Sequence, residues 1–447
     1  MQLFSTESVL ALAPDAASAK AANGLIKPGK WPSLGASEVA IWGECQGSGL
    51  YQTQVDLSGP SFHCSCPSRK FPCKHGLALL LLWAKDPTQF QQGQLPKWVS
   101  EHLAARQERQ QKKEEKQQQK AAEKAADPKA AETALKSVQK RWSRIDKGVA
   151  ELQQWLSDQV AQGLGHLSPD SHDDWDGVAA RLVDAQAPGL AQRLRYAGAE
   201  LLQGPQWPEN VLRRLGVLQL ACHAIQRRAA LDENAQADLR ALIGWPIDKD
   251  SILGQAHKVT DHWQVLGVIQ EERERNLIER RVWLHGLHTG QRALVLDHIF
   301  PGRVFEQSWM ALSTVQASLA FYPSAAPLRA LVAEIQAISP AHLAAPAPAS
   351  PPAQEWLQVA QRVAANPWGS LHPLRCHEAL FMRQNEQFCL HWGDRLLPLQ
   401  LRDNDGWALL ALAGGHPLTV QGEWDGNHLR PLTALGSEGH WIWSPVA

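Results

Sequence analysis

Four metal-binding side chains fall within twelve residues near the N-terminus of this 447-residue chain. The segment FHCSCPSRKFPCKH places Cys64, Cys66, Cys73 and His75 in a C-x-C-x6-C-x-H pattern. Three thiolates and one imidazole make a complete tetrahedral ligand set for Zn²⁺, with no position left for water or substrate. Closed zinc sites of this kind stabilise a fold and support contacts with a partner. The pattern therefore predicts a structural zinc site in a binding module, and we expect no enzymatic activity.

The two halves of the pattern differ in their predicted backbone conformation. Cys64 and Cys66 are two residues apart, so on an extended segment both sulfur atoms face one side while His63 faces the other. Residues 67–70 have the composition of a turn. The run that follows is rich in Leu and Ala, so we expect a helix that begins near Cys73. The free N–H groups and the dipole at that helix start favour thiolate.

Three basic residues, Arg69, Lys70 and Lys74, lie in or beside the predicted turn, and no acidic residue lies between Ser61 and His75. A Zn²⁺ ion bound by three thiolates and one neutral imidazole carries a net charge of about −1. The three cations either offset that charge or contact the phosphates of a nucleic acid. The sequence leaves both interpretations open.

Free or disulfide-bonded cysteines are the alternative to a metal site. The N-terminal segment MQLFSTESVLALAPDAASAK lacks a basic start and an uninterrupted apolar stretch, so no secretory signal is evident. We therefore expect a cytoplasmic protein. The cytoplasm is a reducing compartment, which favours metal binding by these cysteines over disulfide bonds. The longest apolar run, Leu77–Trp83, is much shorter than the ~18 to 20 residues of a membrane span, so we expect no membrane segment.

The cysteine pattern resembles the SWIM zinc finger, in which C-x-C, a variable gap and C-x-H supply the ligands. The preceding segments EVAIWGECQ and LYQTQVDLS alternate like two strands joined through Gly47-Ser48-Gly49, which fits the ββα arrangement of that family. The chain also resembles bacterial multi-domain proteins that carry this module near the N-terminus. The resemblance implies zinc binding together with contacts to protein or DNA. The resemblance also implies, as an expectation, a partnership with a MoxR-type AAA ATPase and von Willebrand A-domain proteins.

Composition and periodicity predict an α+β multidomain protein with an N-terminal ββα zinc module, a central helical region and C-terminal antiparallel β units. The predicted segments are a zinc module with its flanks (1–100), a Gln-, Lys- and Glu-rich linker or helix (101–130), a helical bundle (131–250), an antiparallel β unit (255–335), a Pro/Ala-rich linker (339–353) and a C-terminal helix plus β unit (354–447).

An apolar seam predicts the first helix of the bundle, because its members recur at gaps of three and four residues. They are Leu135, Val138, Trp142, Ile145, Val149, Leu152, Leu156 and Val160. Such a seam can join two chains, but further helical segments follow it, so we expect it to pack within this chain.

The second half of the chain alternates as strands do. Residues 262–272, 278–288, 291–300 and 313–323 predict strands of the first β unit, with a solvated loop at 271–275. In the C-terminal unit we expect a helix near 354–368, strands over 378–401, 406–415 and 418–432, and a turn at Asp425-Gly426.

Motifs for catalysis are missing from the sequence: it contains no nucleophile elbow, phosphate-binding loop, dinucleotide fingerprint or zinc-protease helix. Cys222 fits the apolar face of its helix, which indicates a buried structural thiol. A second metal site in the C-terminal unit is conceivable but not required by the spacing of its candidates, His372, Cys376, Cys389 and His391.

Net charge bounds the kind of partner. The chain carries a formal charge of −1, whereas dedicated nucleic-acid proteins usually show a basic excess. The segment from Glu101 to Ile145, however, contains twelve Lys and Arg residues and only seven Asp and Glu residues. The leading hypothesis is a zinc-dependent protein interaction module, and the alternative is DNA binding by the zinc module with this adjacent basic segment. The oligomeric state stays open.

Overall fold

The computed structural model describes residues 6–57, 61–68, 70–102, 104, 128–167, 171–201, 206–255, 258–273, 276–300, 303, 305, 307–339, 350–437 and 439–444. They form N-terminal strands with the cysteine cluster, a central helical region and C-terminal β units that are mostly antiparallel, which confirms the predicted fold class. Most of the two predicted linkers, at 105–127 and 340–349, lies outside the described residues.

A five-stranded sheet with helices packed on it forms the N-terminal module. Its elements are α1 (Thr6–Leu10), α2 (Ala16–Asn23), β1 (Ser33–Ala36), β2 (Ala40–Gln46), β3 (Leu50–Asp56), β4 (Ser61–Cys64), α3 (Lys74–Lys85) and β5 (Gln91–Gln92). The strand order is β4-β3-β2-β1-β5. Helix α3 packs against β2, β3 and β4 and buries all of its residues from His75 to Ala84. A helix buried on this scale forms the centre of the module's core.

The central region is helical. Its helices are α4 (Pro128–Gln162), α5 (Ser171–Asp184), α6 (Pro188–Ala199), α7 (Trp207–Gln226), α8 (Glu233–Leu242) and α9 (Lys249–Gln255). Pro128, Pro188 and Pro208 lie in the first turn of their helices, where the missing N–H costs no hydrogen bond.

The apolar seam on α4 packs within the chain over its middle part. Ile145, Val149, Leu152 and Leu156 are buried in one core with residues of α5 to α8. The outermost members are exposed because α4 has 35 residues and its neighbours α5 and α7 have 14 and 20. The seam therefore holds a bundle together, and its ends project past that bundle.

The first β unit closes into a barrel. Its strands are β6 (Lys258–Arg273), β7 (Leu277–Gly286), β8 (Arg292–Ile299), β9 (Thr314–Phe321) and β10 (Arg329–Ser339), in the order β10-β8-β7-β6-β9. The pairs are antiparallel except β8–β10. The sequence-based prediction missed β10, because two register shifts in its pairing with β9 interrupt the alternation of its side chains.

One segment of the barrel corrects a prediction. Strand β6 extends to Arg273, so residues 271–273 are not part of the predicted solvated loop, and residues 274–275 lie outside the described residues. Glu271 is half-buried and pairs with Arg281 and Arg430, which gives this charged segment a structured environment. Charge alone was therefore a poor guide to exposure here.

The C-terminal unit is a six-stranded sheet with two helices. Its elements are α10 (Pro352–Ala365), β11 (His372–Gln384), β12 (Gln387–Trp392), β13 (Arg395–Pro398), α11 (Asp403–Ala413), β14 (Leu418–Trp424), β15 (Leu429–Leu435) and β16 (His440–Ile442). The strand order is β13-β12-β11-β14-β15-β16. Helix α10 begins at Pro352, inside the segment predicted as a linker.

The segment GWALLALAGG was predicted as a strand and is helical. Asp403 and Asp405 lie in the first turn of α11, where their charge complements the helix dipole. Gly414 ends the helix in the left-handed conformation, with a φ of 51°. The high helix propensity of Leu and Ala, together with these end signals, outweighs the short apolar run that suggested a strand.

Contacts join the units. Leu266, Ile269 and Trp283 on the outer face of the barrel form one apolar cluster with Leu432 of the C-terminal sheet. Met310, after β8, lies in the core of the N-terminal module. No helix among the described residues is long and apolar enough to span a bilayer.

Candidate metal centre

Two elements bring the four candidate ligands together. Strand β4 ends at Cys64, which pairs with Thr53 of β3, and Cys66 follows in the turn. Cys73 caps helix α3, with the Gly76 N–H 3.4 Å from its sulfur, and His75 lies in the first turn of that helix. The predicted helix start near Cys73 is therefore observed, and the capping sulfur satisfies a backbone donor.

The ligand atoms form a compact group. One atom from each of Cys64, Cys66, Cys73 and His75 lies within 4.8 Å of every other, and His75 Nδ1 is 3.7 Å from the Cys64 sulfur. A tetrahedral zinc ion with Zn–S bonds of about 2.3 Å needs ligand atoms roughly 3.5 to 4 Å apart. The donor set and its spacing therefore suit Zn²⁺.

Burial closes the site on the side of the protein core. Cys73 is 6% exposed and His75 is 4% exposed, whereas Cys64 and Cys66 are half-buried. His63 is exposed, and its ring stacks on that of His102 at 4.1 Å, so it faces away from the cluster. The four expected ligands are thus the ones that the backbone turns inward.

Comparison with known proteins agrees with this geometry. Residues 51–84 match the SWIM zinc finger family. This part of the chain is a SWIM zinc finger domain. Residues 140–243 match the SWIM-associated four-helix bundle domain, which here spans helices from α4 to α8. No curated protein and no solved structure matches the chain.

Side chains around the SWIM ligands hold them in place. The Thr53 hydroxyl lies 3.2 Å from the Cys64 sulfur, and the Tyr51 ring lies 4.9 Å from the His75 ring. Sequence reasoning missed both residues. The alternation of side chains along β3 could have identified them, since Tyr51 and Thr53 are two residues apart and therefore face the same side of the strand. Gly76 is also required, because a Cβ there would lie 2.9 Å from the Phe62 ring.

The thiols of the SWIM site share protons unequally. A hydrogen bond from Cys73 lowers the pKa of Cys64, and giving that bond raises the pKa of Cys73. Burial raises the pKa of Cys66. The three sulfurs therefore share protons as a coupled group, and a bound cation would replace those protons. Zinc supplies that cation and stabilises all three as thiolates.

The basic residues near the SWIM site have different environments. Lys70 forms an ion pair with Asp15, with Nζ 2.7 Å from Oδ2, and Asp15 also caps helix α2. Lys74 is the first residue of α3 and is exposed. Arg69 lies outside the described residues. The charge of Lys70 is therefore already offset within the protein.

The cysteines outside the SWIM site are buried free thiols. Burial raises the pKa of Cys45 to about 11 and that of Cys222 to about 12. Cys376 and Cys389 are buried as well, and their pKa values are raised by the same cause. Within the described part of the chain, these two cysteines and the nearby His372 and His391 do not assemble into a metal-binding group.

A second group with ligand-like spacing lies on the barrel and was not predicted. It consists of Asp261, His262 and His288. Both carboxylate oxygens of Asp261 already accept hydrogen bonds, from the His288 ring at 2.7 Å and from the Thr289 hydroxyl at 2.7 Å among others. Although burial opposes it, these bonds lower the pKa of Asp261 to about 2. The carboxylate thus fastens the turn between β7 and β8.

Proposed function

We propose that this SWIM protein is a zinc-stabilised interaction protein whose N-terminal module recognises a protein partner, and that it is not an enzyme. The observation that carries the proposal is the closed ligand set. Four protein side chains fill the tetrahedral positions of Zn²⁺, so the ion has no site for water or substrate. Its role is then to hold the turn after β4 against the start of α3.

The surface beside the ion supports a protein partner. The turn that joins Cys66 to Cys73 presents exposed side chains, among them the ring of Phe71, which is 36% exposed. Leu50, at the start of β3, is 50% exposed. Aromatic side chains such as Phe71 are enriched at the centre of protein interfaces. The ion pair with Asp15 offsets the charge of Lys70 and so weakens its attraction for the phosphates of a nucleic acid.

We extend this proposal to the class of partner and the compartment. The resemblance to bacterial SWIM proteins supports a cytoplasmic partnership with a MoxR-type AAA ATPase and von Willebrand A-domain proteins. In such a complex the SWIM module supplies the recognition surface, and the bundle and β units supply the scaffold.

The test is quantitative cross-linking and affinity capture from native cells with three full-length baits. Cys66→Ser removes one ligand, Phe71→Ala alters the surface but keeps the ion, and Cys389→Ser is a control for the loss of a distant thiol. We expect wild-type protein and the control to capture the same partner with about one zinc per chain. Cys66→Ser should lose both, and Phe71→Ala should lose only the partner.

A partner captured equally well by the zinc-free variant would contradict the proposal. Enrichment of an ATPase and a von Willebrand A-domain protein would support its finer form, and enrichment of unrelated proteins would reject that form alone.

DNA binding is the second candidate, and the exposure of Lys74 at the edge of the SWIM site supports it. Each phosphate contact on duplex DNA lowers the affinity by about 0.9 decade for each decade of salt. A steep salt dependence that becomes shallower in Lys74→Ala would favour DNA. A flat response, or identical slopes for the two proteins, would dispose of it.

A further inference from the structure

A group of buried cationic side chains lies between the barrel and the C-terminal unit. We name it the basic cluster, and it consists of His285, Arg292, Glu355, Arg362, His372 and Arg375. Arg292 and Arg375 are each 5% exposed, and Glu355 is fully buried. Both histidines are also buried, and Arg362 is half-buried. Guanidinium groups are rarely buried to this degree without partners.

The fold places these residues at one interface. His285 on β7 lies directly opposite Arg292 on β8. Their neighbours Leu284 and Ala293 point into the barrel core, so His285 and Arg292 point outward. Arg292 Nη2 lies 2.7 Å from Oε1 of Glu355 on helix α10. The outer face of the barrel is therefore connected to the helix that precedes the C-terminal sheet.

The opposite side of the interface carries the remaining members. Arg362 lies on α10 and extends toward β11, with its Nη2 3.5 Å from the Pro373 carbonyl oxygen. His372 and Arg375 lie on β11 itself. The charges are close enough to act on one another, since burial and then the charges of Arg292 and Arg375 lower the pKa of His285 to about 3. Both histidines are therefore neutral in the folded protein near pH 7.

The charges of the basic cluster do not balance. Among the described residues, Arg292 and Arg362 have one carboxylate between them, that of Glu355. Arg280, which is equally buried in the barrel, instead has Asp297 at 2.6 Å and a backbone carbonyl oxygen at 2.6 Å. Arg281 contacts several carboxylates. The barrel thus supplies carboxylates for its other buried arginines and leaves an excess of positive charge in the basic cluster.

Polar atoms of the basic cluster also lack hydrogen-bond partners among the described residues. They are Arg292 Nε and Nη1, Arg362 Nε, the Nδ1 atoms of His285 and His372, and Glu355 Oε2. Buried polar atoms are almost always paired, so a concentration of unpaired ones at a single interface points to a missing partner. Most of these atoms belong to cationic or neutral nitrogen donors, so that partner must accept hydrogen bonds and carry negative charge.

We propose that the basic cluster binds a phosphate group, either as free inorganic phosphate or as part of a small phosphomonoester. The planar guanidinium group donates two parallel hydrogen bonds to a phosphate, and several arginines around one anion are typical of phosphate recognition. Each neutral imidazole adds one donor. Arg362 forms the solvent side, since it is the half-buried member, and the ligand links barrel to C-terminal unit by contacting both.

The test is phosphate binding to the full-length, zinc-loaded protein at constant ionic strength. We expect saturable binding of inorganic phosphate at one site per chain in equilibrium dialysis, and a melting temperature that rises with ligand concentration. Arg292→Gln and Arg362→Gln should each weaken binding about 10-fold or more. Glu355→Gln should instead tighten it, because the carboxylate repels the anion and occupies Arg292. Tighter binding of glycerol phosphate than of inorganic phosphate would identify a phosphomonoester as the ligand.

Arg280→Gln is the matched control, because it removes an equally buried arginine that has its own carboxylate. Its phosphate affinity should equal that of the wild type. If Arg292→Gln fails to fold, Arg362→Gln decides, since its side chain is half-buried. Absence of saturable binding of both probes to wild type would overturn the proposal, as would an equal loss of affinity in Arg280→Gln.

Discussion

Arg281 of the barrel and Glu423 of the C-terminal sheet form a buried, two-pronged ion pair across 142 residues of sequence, with two N–O distances of 3.1 Å. Their side chains are 5% and 2% exposed. Arg281 also binds Glu271 and Glu279, and Arg430 of the sheet donates to Glu271. The two β units therefore share one charged network beside their shared apolar cluster.

Breaking this pair should destabilise the interface. Glu423→Gln leaves Arg281 buried with less compensating charge, so we expect a loss of about 3 to 5 kcal/mol in the free energy of unfolding. The double variant Arg281→Met/Glu423→Leu should lose less than the single variant, because it removes both buried charges while Glu271 and Glu279 keep Arg273 as a partner. Urea denaturation followed by tryptophan fluorescence measures both values.

An exposed ion pair provides the control. Arg195 pairs with Asp176 on the surface of the bundle, so Arg195→Gln should change the stability by less than about 1 kcal/mol. A loss below about 1 kcal/mol for Glu423→Gln would show that the buried pair contributes no more than this surface pair.

Loss of the zinc ion should unfold the SWIM module locally. Cys64→Ser or His75→Ala removes a ligand from a small site to which zinc contributes on the order of 10 kcal/mol or more. We expect residues 35–85 to lose amide protection in hydrogen exchange while the bundle and the C-terminal sheet keep theirs. Protection should also fall near Met310, since its side chain lies in the core of the module.

Cys389→Ser serves as the control for this experiment, because its thiol is buried far along the chain in β12. It should keep both the metal and the protection pattern. Retained amide protection at residues 35–85 after chelation would contradict a structural role for zinc.

Two glycines of the bundle should respond oppositely to alanine. A Cβ at Gly148 would lie 2.5 Å from the Ala185 Cβ, so Gly148→Ala should force α4 and α5 apart and cost about 1 to 3 kcal/mol. Gly216 is exposed on α7 with open space around it, so Gly216→Ala should stabilise by about 0.4 to 1 kcal/mol. Thermal unfolding of the two variants compares them, and an unchanged or raised melting temperature of Gly148→Ala would refute the close contact of α4 with α5.

His285 should make the stability depend on pH. Burial and the neighbouring arginines lower its pKa to about 3, whereas an unfolded histidine has a pKa of about 6.5. The unfolded state therefore binds a proton that the folded state does not, and stability falls as the pH falls between these values. Between pH 7 and pH 5 the wild type should lose about 2 kcal/mol more than His285→Gln.

The measurement is chemical denaturation of both proteins at each pH in phosphate-free buffer. Because both lose zinc equally on acidification, the difference between the two slopes isolates His285. The exposed His377 is the control, and His377→Gln should follow the wild-type slope. Parallel slopes for wild type and His285→Gln would contradict the prediction.

The predictions that the structure confirmed depended on signals between residues close together in the sequence. The zinc ligands lie within twelve residues, and a capping sulfur and the helix after it are set by neighbours in sequence. Apart from helix α11, where local propensity was misjudged, the errors arose where distant contacts decide the outcome. The charged residues 271–273 become part of a strand because Arg430 and Arg281 reach them from elsewhere, and the bulged strand β10 forms because β8 and β9 pair with it.

The sequence by itself determined the ligand set, the identity of the SWIM module and the order of its zinc, helical and β regions, because these depend on short-range spacing. Only the tertiary structure decided which charges became buried and which partners they have. Barrel closure and sheet packing bring Arg281 to Glu423 and Arg292 to Glu355, and no local sequence pattern predicts these two ion pairs. The reason is physical: the free energy of a buried charge depends on the atoms around it, and those atoms come from strands and helices far apart along the chain.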